Sequence, residues 1–238
     1  MTLIHRAAWL LRDPSGLVDH VDHDTHFAEE APRLLGLLAL GALTFGAVVG
    51  GFRGGLQVPF AAVKLPLLFL VPMMLVLPAL RGLWALSEVE VSYRRLVTAG
   101  LVGGARTALL AAAAGPVLWL LFGLIGYHLA VLCFVAVLGV TGLPGLLVVA
   151  RAVPSGGRGR WVALAGSLTL MAVASMQTGW LLRPFLVRPQ SDDIVLFRAI
   201  EDDVFHSLGT TAMSSVGVYR YDLVREEVYE QSDLRGTR

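Results

Sequence analysis

The chain has 238 residues, of which 55% are hydrophobic and 16% are charged, whereas a soluble domain carries about 25% charged residues. The net charge of +1 hides a basic middle, net +9 over residues 34–189, between two acidic ends, and this is not the distribution of a nucleic-acid-binding protein. The single cysteine excludes an intrachain disulfide and a thiolate metal cluster. We therefore expect an all-α, polytopic helical membrane bundle whose main solvent is lipid.

The first 33 residues are acidic and too charged for a secretory signal, so we expect a retained cytoplasmic N-terminal segment. Three histidines, His20, His23 and His26, alternate there with aspartates. Imidazole and carboxylate groups are good ligands for zinc or nickel, but a spacing of three residues does not gather the rings on one face of a helix. The pattern leaves two alternatives, a solvated acidic segment and a metal or pH-sensing site, and the sequence predicts no other cofactor.

Five windows are apolar enough to cross a bilayer, which takes about 20 residues per helix. They comprise residues 34–51, 60–80, 107–126, 127–150 and 161–182. The third and fourth windows meet almost without a loop and predict a helical hairpin. The transmembrane bundle, expected to have about five spans, therefore occupies residues 34–183, and residues 184–238 form an acidic tail outside the membrane.

The segment between the second and third windows has a different character. Trp84 and Tyr93 suit the membrane interface, and Glu90 and Arg94 are spaced as a favourable helical pair. Residues 83–97 are therefore predicted to form a surface helix. The glycines that follow are expected to break the chain before the third window; they are Gly100, Gly103 and Gly104.

The first window contains a GxxxG pattern at Gly46 and Gly50. Glycines at this spacing let two helices approach closely and pack by dispersion. The pattern predicts helix association, and it leaves open whether the partner helix belongs to the same chain or to a second copy.

Proline recurs inside the middle windows, and each interior proline removes a backbone hydrogen bond. We predict kinked or partly unwound helices, which either bend without forming a pore or line a cavity. The prolines concerned are Pro66, Pro72 and Pro78 in the second window, Pro116 in the third and Pro144 in the fourth.

Lys64 lies roughly one turn inside the second window. A lysine near the end of a span can extend its ammonium group to the interface, whereas a buried amine within a span is a candidate for ion or proton coupling. The sequence leaves both alternatives open. Because the five windows contain no acidic residue, the ammonium has no partner there for a proton relay.

The end of the fifth window carries the sequence GWLLRPF. Trp161 and Trp180 stand 19 residues apart, which corresponds to about 28 Å of helix. Trp and Arg favour the headgroup level, and Pro184 disfavours helix at Arg183, so this sequence predicts a helix terminus anchored at the interface. The alternative is a ligand or lipid-headgroup site formed by Gln177 and Arg183 beside Trp180, because an amide within a span usually faces protein.

Arginines are concentrated in the short loops on one side of the predicted bundle. The positive-inside rule places that side, with the N-terminus, in the cytoplasm. Five spans then place the acidic tail outside, where the residues from Ser191 onward predict an amphipathic helix. We expect a multi-pass protein of the bacterial cytoplasmic membrane.

The five-span topology, together with Gln177, Trp180, Arg183, Pro184 and Phe185, resembles that of uncharacterised bacterial multi-pass proteins that look like the Yip family of small membrane proteins. The resemblance covers roughly residues 34–189, and the D-L-Y-G-P element of the eukaryotic family is absent. The resemblance implies a non-enzymatic membrane component and names no substrate.

The sequence contains no nucleophile–base pair, phosphate-binding loop, HExxH motif or paired carboxylates, so an enzyme is not expected. We expect an oligomeric scaffold or an accessory subunit that contacts the lipid bilayer and binds a second copy or another membrane protein. The competing prediction is a channel or small-solute transporter subunit whose cavity is lined by the proline-containing helices.

Overall fold

A computed structural model describes residues 3–22, 26–88, 90–152 and 159–187. These residues form seven helices and no strand, which confirms the predicted all-α class. The helices are α1 (Leu3–Arg12), α2 (Pro14–Asp22), α3 (Phe27–Gly50), α4 (Gln57–Leu86), α5 (Tyr93–Phe122), α6 (Tyr127–Arg151) and α7 (Arg160–Leu181). The amphipathic helix predicted for the tail lies outside the described residues.

Helices α3 to α7 are each long and apolar enough to cross a membrane, so the chain is a multi-pass helical membrane protein. α4 and α5 have 30 residues each, which is about 45 Å of helix, whereas the hydrocarbon core is about 30 Å thick. A short loop joins the start of α4 to the shorter α3, and another joins the end of α5 to the shorter α6. The end of α4 and the start of α5 therefore project together beyond the hydrocarbon.

The prediction of a surface helix at residues 83–97 is wrong. α4 continues to Leu86, and after a short turn α5 begins at Tyr93. The Ser92 side chain caps α5 by accepting a hydrogen bond from the Arg95 amide at 3.1 Å. The interfacial residue types in this segment belong to the ends of two spanning helices that project from the bilayer.

The chain break expected at the glycines after residue 97 is also wrong, because Gly100, Gly103 and Gly104 all lie inside α5. These positions serve close helix packing. A Cβ atom added at Gly103 would lie 2.7 Å from the carbonyl oxygen of Gly145 in α6. Glycine here lets two backbones touch and does not reverse the chain.

Helix α3 lies at the centre of the helix array. It packs against both α4 and α5, while α6 packs on α5 and α7 packs on α4. Phe45 of α3 and Trp84 of α4 are among the largest fully buried side chains. The α3 backbone also approaches α5 closely, since a Cβ atom added at Gly41 would lie 2.8 Å from the backbone of Ala108.

Helix α4 stays helical across Pro66, Pro72 and Pro78, so the partial unwinding considered for the second window does not occur. Pro116 and Pro144 likewise lie inside α5 and α6. Proline is tolerated within membrane helices when neighbouring helices support the segment. For α4, that support comes from α3 and α7.

The described part of the N-terminal segment folds as α1 and α2, which pack against α3 and α5. Arg6 of α1 forms a buried ion pair with Glu30 of α3, and Arg33 also contacts Glu30, at 2.7 Å. Arg95 of α5 pairs with Asp19 of α2 at 2.7 Å. Side-chain charge pairs thus tie the two short helices to the bundle.

Candidate functional site at the end of the last helix

The chain folds back on the bundle after its last helix. α7 ends at Leu181, as the following proline predicts, and residues 182–187 form a non-helical segment that we call the C-terminal strap. Phe185, Leu186 and Val187 of the strap are buried. The site is therefore more than a helix terminus at the interface, because the chain beyond the terminus returns into the protein.

Two polar side chains of α4 hold the strap through its backbone. The Gln57 amide donates to the carbonyl oxygens of Phe185 at 2.8 Å and of Pro184 at 3.3 Å, and the Lys64 ammonium donates to the Pro184 oxygen at 3.0 Å. Gln57 is 0% exposed and Lys64 is 1% exposed. A non-helical segment at membrane depth needs donors for its carbonyl groups, and these two side chains supply them.

Lys64 is thus a buried amine rather than a side chain that reaches the interface. Its contact with Pro184 is to backbone within the same chain. Gln57 was missed because it lies just before the second apolar window. The two residues are seven positions apart, which places them on one face of the helix, and this spacing is the signal that could have found Gln57.

The apolar side of the strap packs across the bundle. The Phe185 ring lies 5.5 Å from the Phe134 ring of α6, which in turn stacks on Phe45 of α3 at 6.1 Å. Because Gln57 and Lys64 belong to α4, the strap contacts two helices that are distant from it in sequence, α4 and α6. It therefore links α4 to α6.

Arginine–tryptophan pairs lie at both ends of α7. The Arg183 guanidinium lies 3.4 Å from the centroid of the Trp180 ring, and Arg160 lies 5.7 Å from the ring of Trp161. Both geometries are those of cation–π contacts. The pairs are separated by about 28 Å of helix, close to the thickness of the hydrocarbon core, so they are placed to mark the two interfaces.

Gln177 is exposed on the outside of α7. It lies four residues before the end of the helix, about 6 Å along the axis. The sequence predicts that this amide faces protein, but none of the described residues forms a hydrogen bond with it.

Gly46 and Gly50 lie in the contact between α3 and α4 of the same chain. A Cβ atom at Gly46 would lie 2.6 Å from the Ala61 carbonyl oxygen, and one at Gly50 would lie 2.5 Å from the Gln57 carbonyl oxygen. The second contact brings the start of α4 against α3. The glycine pair therefore helps to position Gln57 for its bonds to the strap.

Of the three histidines considered as metal ligands, His23 lies outside the described residues. The rings of His20 and His26 have centroids 4.5 Å apart, and Trp9 lies 5.1 Å from His20. Within the ranges that the structure describes, no group of three or more His, Cys, Asp or Glu side chains is arranged to hold a metal ion.

No protein-family model, curated protein or solved structure matches the chain. The residues that carry the resemblance to the Yip family, from Gln177 to Phe185, lie at the end of α7 and in the strap. The resemblance itself stays a prediction. A functional proposal therefore rests on the geometry of the helices.

Proposed function

We propose that the protein is a non-enzymatic scaffold or accessory subunit of a membrane complex, and that the outward face of α7 binds a transmembrane helix of a second copy or of another membrane protein. The observation that carries this proposal is the exposure of two polar side chains, Thr169 and Gln177, without a hydrogen-bond partner among the described residues. Both side chains lie on α7.

Hydrocarbon offers no hydrogen-bond partner, and an amide or hydroxyl group without one is destabilising by about 2–7 kcal/mol in an apolar medium. Several other threonines in the spans donate to a backbone carbonyl group of their own helix. Thr178 donates to the carbonyl oxygen of Ala174 at 2.7 Å, and Thr141 donates to that of Val137 at 2.7 Å. Thr169 makes no such bond, so a polar group on a neighbouring helix would stabilise it by about 0.6–2 kcal/mol.

The shape of the α7 face also favours a helical partner. Ala165 and Ala172 are exposed on either side of Thr169 along the helix, and small side chains allow close helix approach. On the opposite face, the Trp84 indole of α4 donates to the Ser167 hydroxyl at 2.8 Å. Because residues two apart point about 200° apart around a helix, this bond keeps Thr169 turned outward.

We further infer that the protein lies in the bacterial cytoplasmic membrane with α1 and α2 on the cytoplasmic side. The support is the positive-inside rule. Exposed arginines cluster at that end of the helices, namely Arg12, Arg33, Arg81 and Arg151. The strap and the start of the tail then lie on the other side.

A photo-crosslinking side chain at position 169 or 177 tests the scaffold proposal in native membranes. We expect a discrete protein adduct from both positions, because a bound helix lies within contact distance. An adduct of twice the chain mass identifies a second copy, and any other mass identifies a different partner. The matched control is position 140 on α6, where Val140 is 67% exposed and lipid alone is expected to react. Adducts missing from α7, or equally abundant at position 140, would contradict the proposal.

A second candidate function, a channel or small-solute transporter subunit, is supported by the burial of the Lys64 ammonium within a span. Ion and solute flux into proteoliposomes that contain the pure protein tests it. The scaffold proposal expects no flux above that of empty vesicles. A flux that Lys64→Leu abolishes, while a neighbouring Val63→Leu leaves it intact, would replace the scaffold proposal with a transport function.

A further inference from the structure

Helix α1 buries a charged side chain and turns an apolar stripe outward. Arg6 is 4% exposed, whereas Ile4 is 79% exposed. Ala8 and Leu11 follow Ile4 at spacings of four and three residues and extend its outward face, and Leu11 is 40% exposed. We call Ile4, Ala8 and Leu11 the α1 stripe. In water, this arrangement would expose an apolar surface and bury a charge.

The inward face of α1 is fixed by its contacts. Arg6 pairs with the buried carboxylate of Glu30, and its guanidinium lies 5.1 Å from the centroid of the Trp9 ring. Leu10, on the same side of the helix, is fully buried. The helix cannot turn its apolar stripe inward without breaking the ion pair, so the stripe needs an apolar medium outside the bundle.

The position of α1 along the bundle axis indicates that this apolar medium is the hydrocarbon core of the bilayer. Its ion-pair partner Glu30 stands 20 residues before Gly50, at the opposite end of α3, which corresponds to about 30 Å. The Arg106 guanidinium contacts the Leu11 carbonyl oxygen at 3.4 Å, and Arg106 stands 16 residues before Phe122 at the opposite end of α5, about 24 Å away. A hydrocarbon core about 30 Å thick, measured from that opposite end, therefore reaches α1.

Cationic side chains border the α1 stripe. Arg12 follows Leu11 directly and is exposed. Arg33 keeps 43% of its side chain exposed while it contacts Glu30, and Arg106 touches the end of the stripe. The phosphate groups of a bilayer lie at the edge of the hydrocarbon, and guanidinium groups bind them by charge-assisted hydrogen bonds.

We propose that α1 is a lipid-binding element whose stripe inserts among the acyl chains of the surrounding bilayer, while Arg12, Arg33 and Arg106 bind the headgroups of anionic phospholipids. A protein partner fits this surface less well. A helix of ten residues presents far less area than the roughly 800 Å² that each partner contributes to a standard interface. The lipid-binding element is independent of the scaffold function proposed for α7.

Fluorescence quenching in lipid nanodiscs tests both parts of the proposal on the full chain. Cys133→Ala removes the native thiol, and Ile4→Cys carries a polarity-sensitive fluorophore. The discs contain equal amounts of phosphatidylglycerol and phosphatidylcholine, with bromine on the acyl chains of one lipid or of the other. We expect quenching in both cases and stronger quenching with brominated phosphatidylglycerol, from a local enrichment of about fivefold, equivalent to about 1 kcal/mol.

Arginine variants identify the headgroup ligands. Arg12→Gln combined with Arg33→Gln and Arg106→Gln is expected to make quenching by the two lipids equal, whereas Arg81→Gln, at an exposed arginine of α4, leaves the preference unchanged. Circular dichroism and gel filtration confirm that each variant is folded before it is measured. A probe that neither lipid quenches, equal quenching in the parent protein, or a preference that survives the triple substitution would each overturn the proposal.

Discussion

Both ends of the helix bundle hold a segment that does not span the membrane, and they hold it by different chemistry. At one end, α1 and α2 are attached through side-chain charge pairs, of which Arg6 with Glu30 is buried. At the other end, the strap is attached through its backbone carbonyl groups, which accept hydrogen bonds from Gln57 and Lys64.

The difference follows from the conformation of the attached segment. A helix pairs most of its own backbone groups, so α1 and α2 have mainly side chains left with which to bond the bundle. The strap is not helical, and its buried carbonyl groups need donors from elsewhere. An ammonium group that binds a carbonyl dipole needs no carboxylate in the apolar interior. The Arg6 guanidinium, by contrast, lies on a helix that is held by its side chains, and it is paired with the Glu30 carboxylate.

Glu30→Gln removes the buried charge pair that attaches α1, and it is expected to lower the free energy of unfolding more than any other substitution considered. The substitution leaves the Arg6 guanidinium buried without a countercharge, which is destabilising by about 3–5 kcal/mol. The free energy of unfolding in mixed dodecyl maltoside and SDS micelles measures the loss. Glu29→Gln is the matched control, because Glu29 is adjacent and exposed. Equal losses from the two variants would show that burial of the pair is not the cause.

Lys64→Met weakens the attachment of the strap at the other end of the bundle. The substitution removes the donor at 3.0 Å from the Pro184 oxygen and leaves the longer bond from Gln57, so we expect a loss of about 1–3 kcal/mol. Release of the strap is measured by the rate at which a maleimide labels Leu186→Cys in a Cys133→Ala background. We expect labelling to become faster in Lys64→Met, because Leu186 is buried when the strap is in place.

Val63→Met is the control for this effect, since Val63 neighbours Lys64 but is 58% exposed. Its labelling rate at position 186 is expected to match that of the parent. Lys64→Gln keeps a donor of shorter reach and is expected to fall between the parent and Lys64→Met. A labelling rate that is the same in all four proteins would remove Lys64 from the attachment of the strap.

The sequence predicts the five spans well because each contains about 20 apolar residues, a local property of the chain. It misplaces the start of α5, since Arg94, Arg95 and Arg106 lower the hydropathy of a stretch that is helical in the structure. That stretch is held by α1 and α2, and such support is not visible in a local window. Its interfacial residue types belong to the ends of two spanning helices and not to a separate surface helix.

The strap could not be predicted from its own residues. Pro184 indicates that the helix ends, but the sequence that follows does not reveal that the chain turns back. Its donors Gln57 and Lys64 lie more than a hundred positions away along the chain. The sequence leaves the burial of Lys64 open for the same reason, because a lysine within a span becomes a backbone donor only where a distant segment presents a carbonyl group to it.

Trp84→Phe sharpens the comparison by testing an attachment between two spanning helices, where both backbones are already paired. The indole bond to the Ser167 hydroxyl at 2.8 Å is expected to contribute about 0.6–1.7 kcal/mol, the range for hydrogen bonds between membrane helices. A double-mutant cycle with Ser167→Ala isolates this contribution from the change in packing. A coupling energy of zero would mean that packing alone holds α7 on α4.

Asp19→Asn has the smallest expected effect and separates the two kinds of charge pair within the N-terminal end. The Arg95 and Asp19 side chains are 29% and 63% exposed, and exposed pairs contribute about 0.2–1 kcal/mol. Raising the salt concentration to about 1 M shortens the Debye length to about 3 Å, so we expect it to erase the stability difference between the parent and Asp19→Asn. The difference caused by Glu30→Gln should persist, because water and salt do not reach that pair. If salt erased both differences, α1 and α2 would be held by one solvent-screened network, and the contrast with the strap would lie in exposure rather than in backbone conformation.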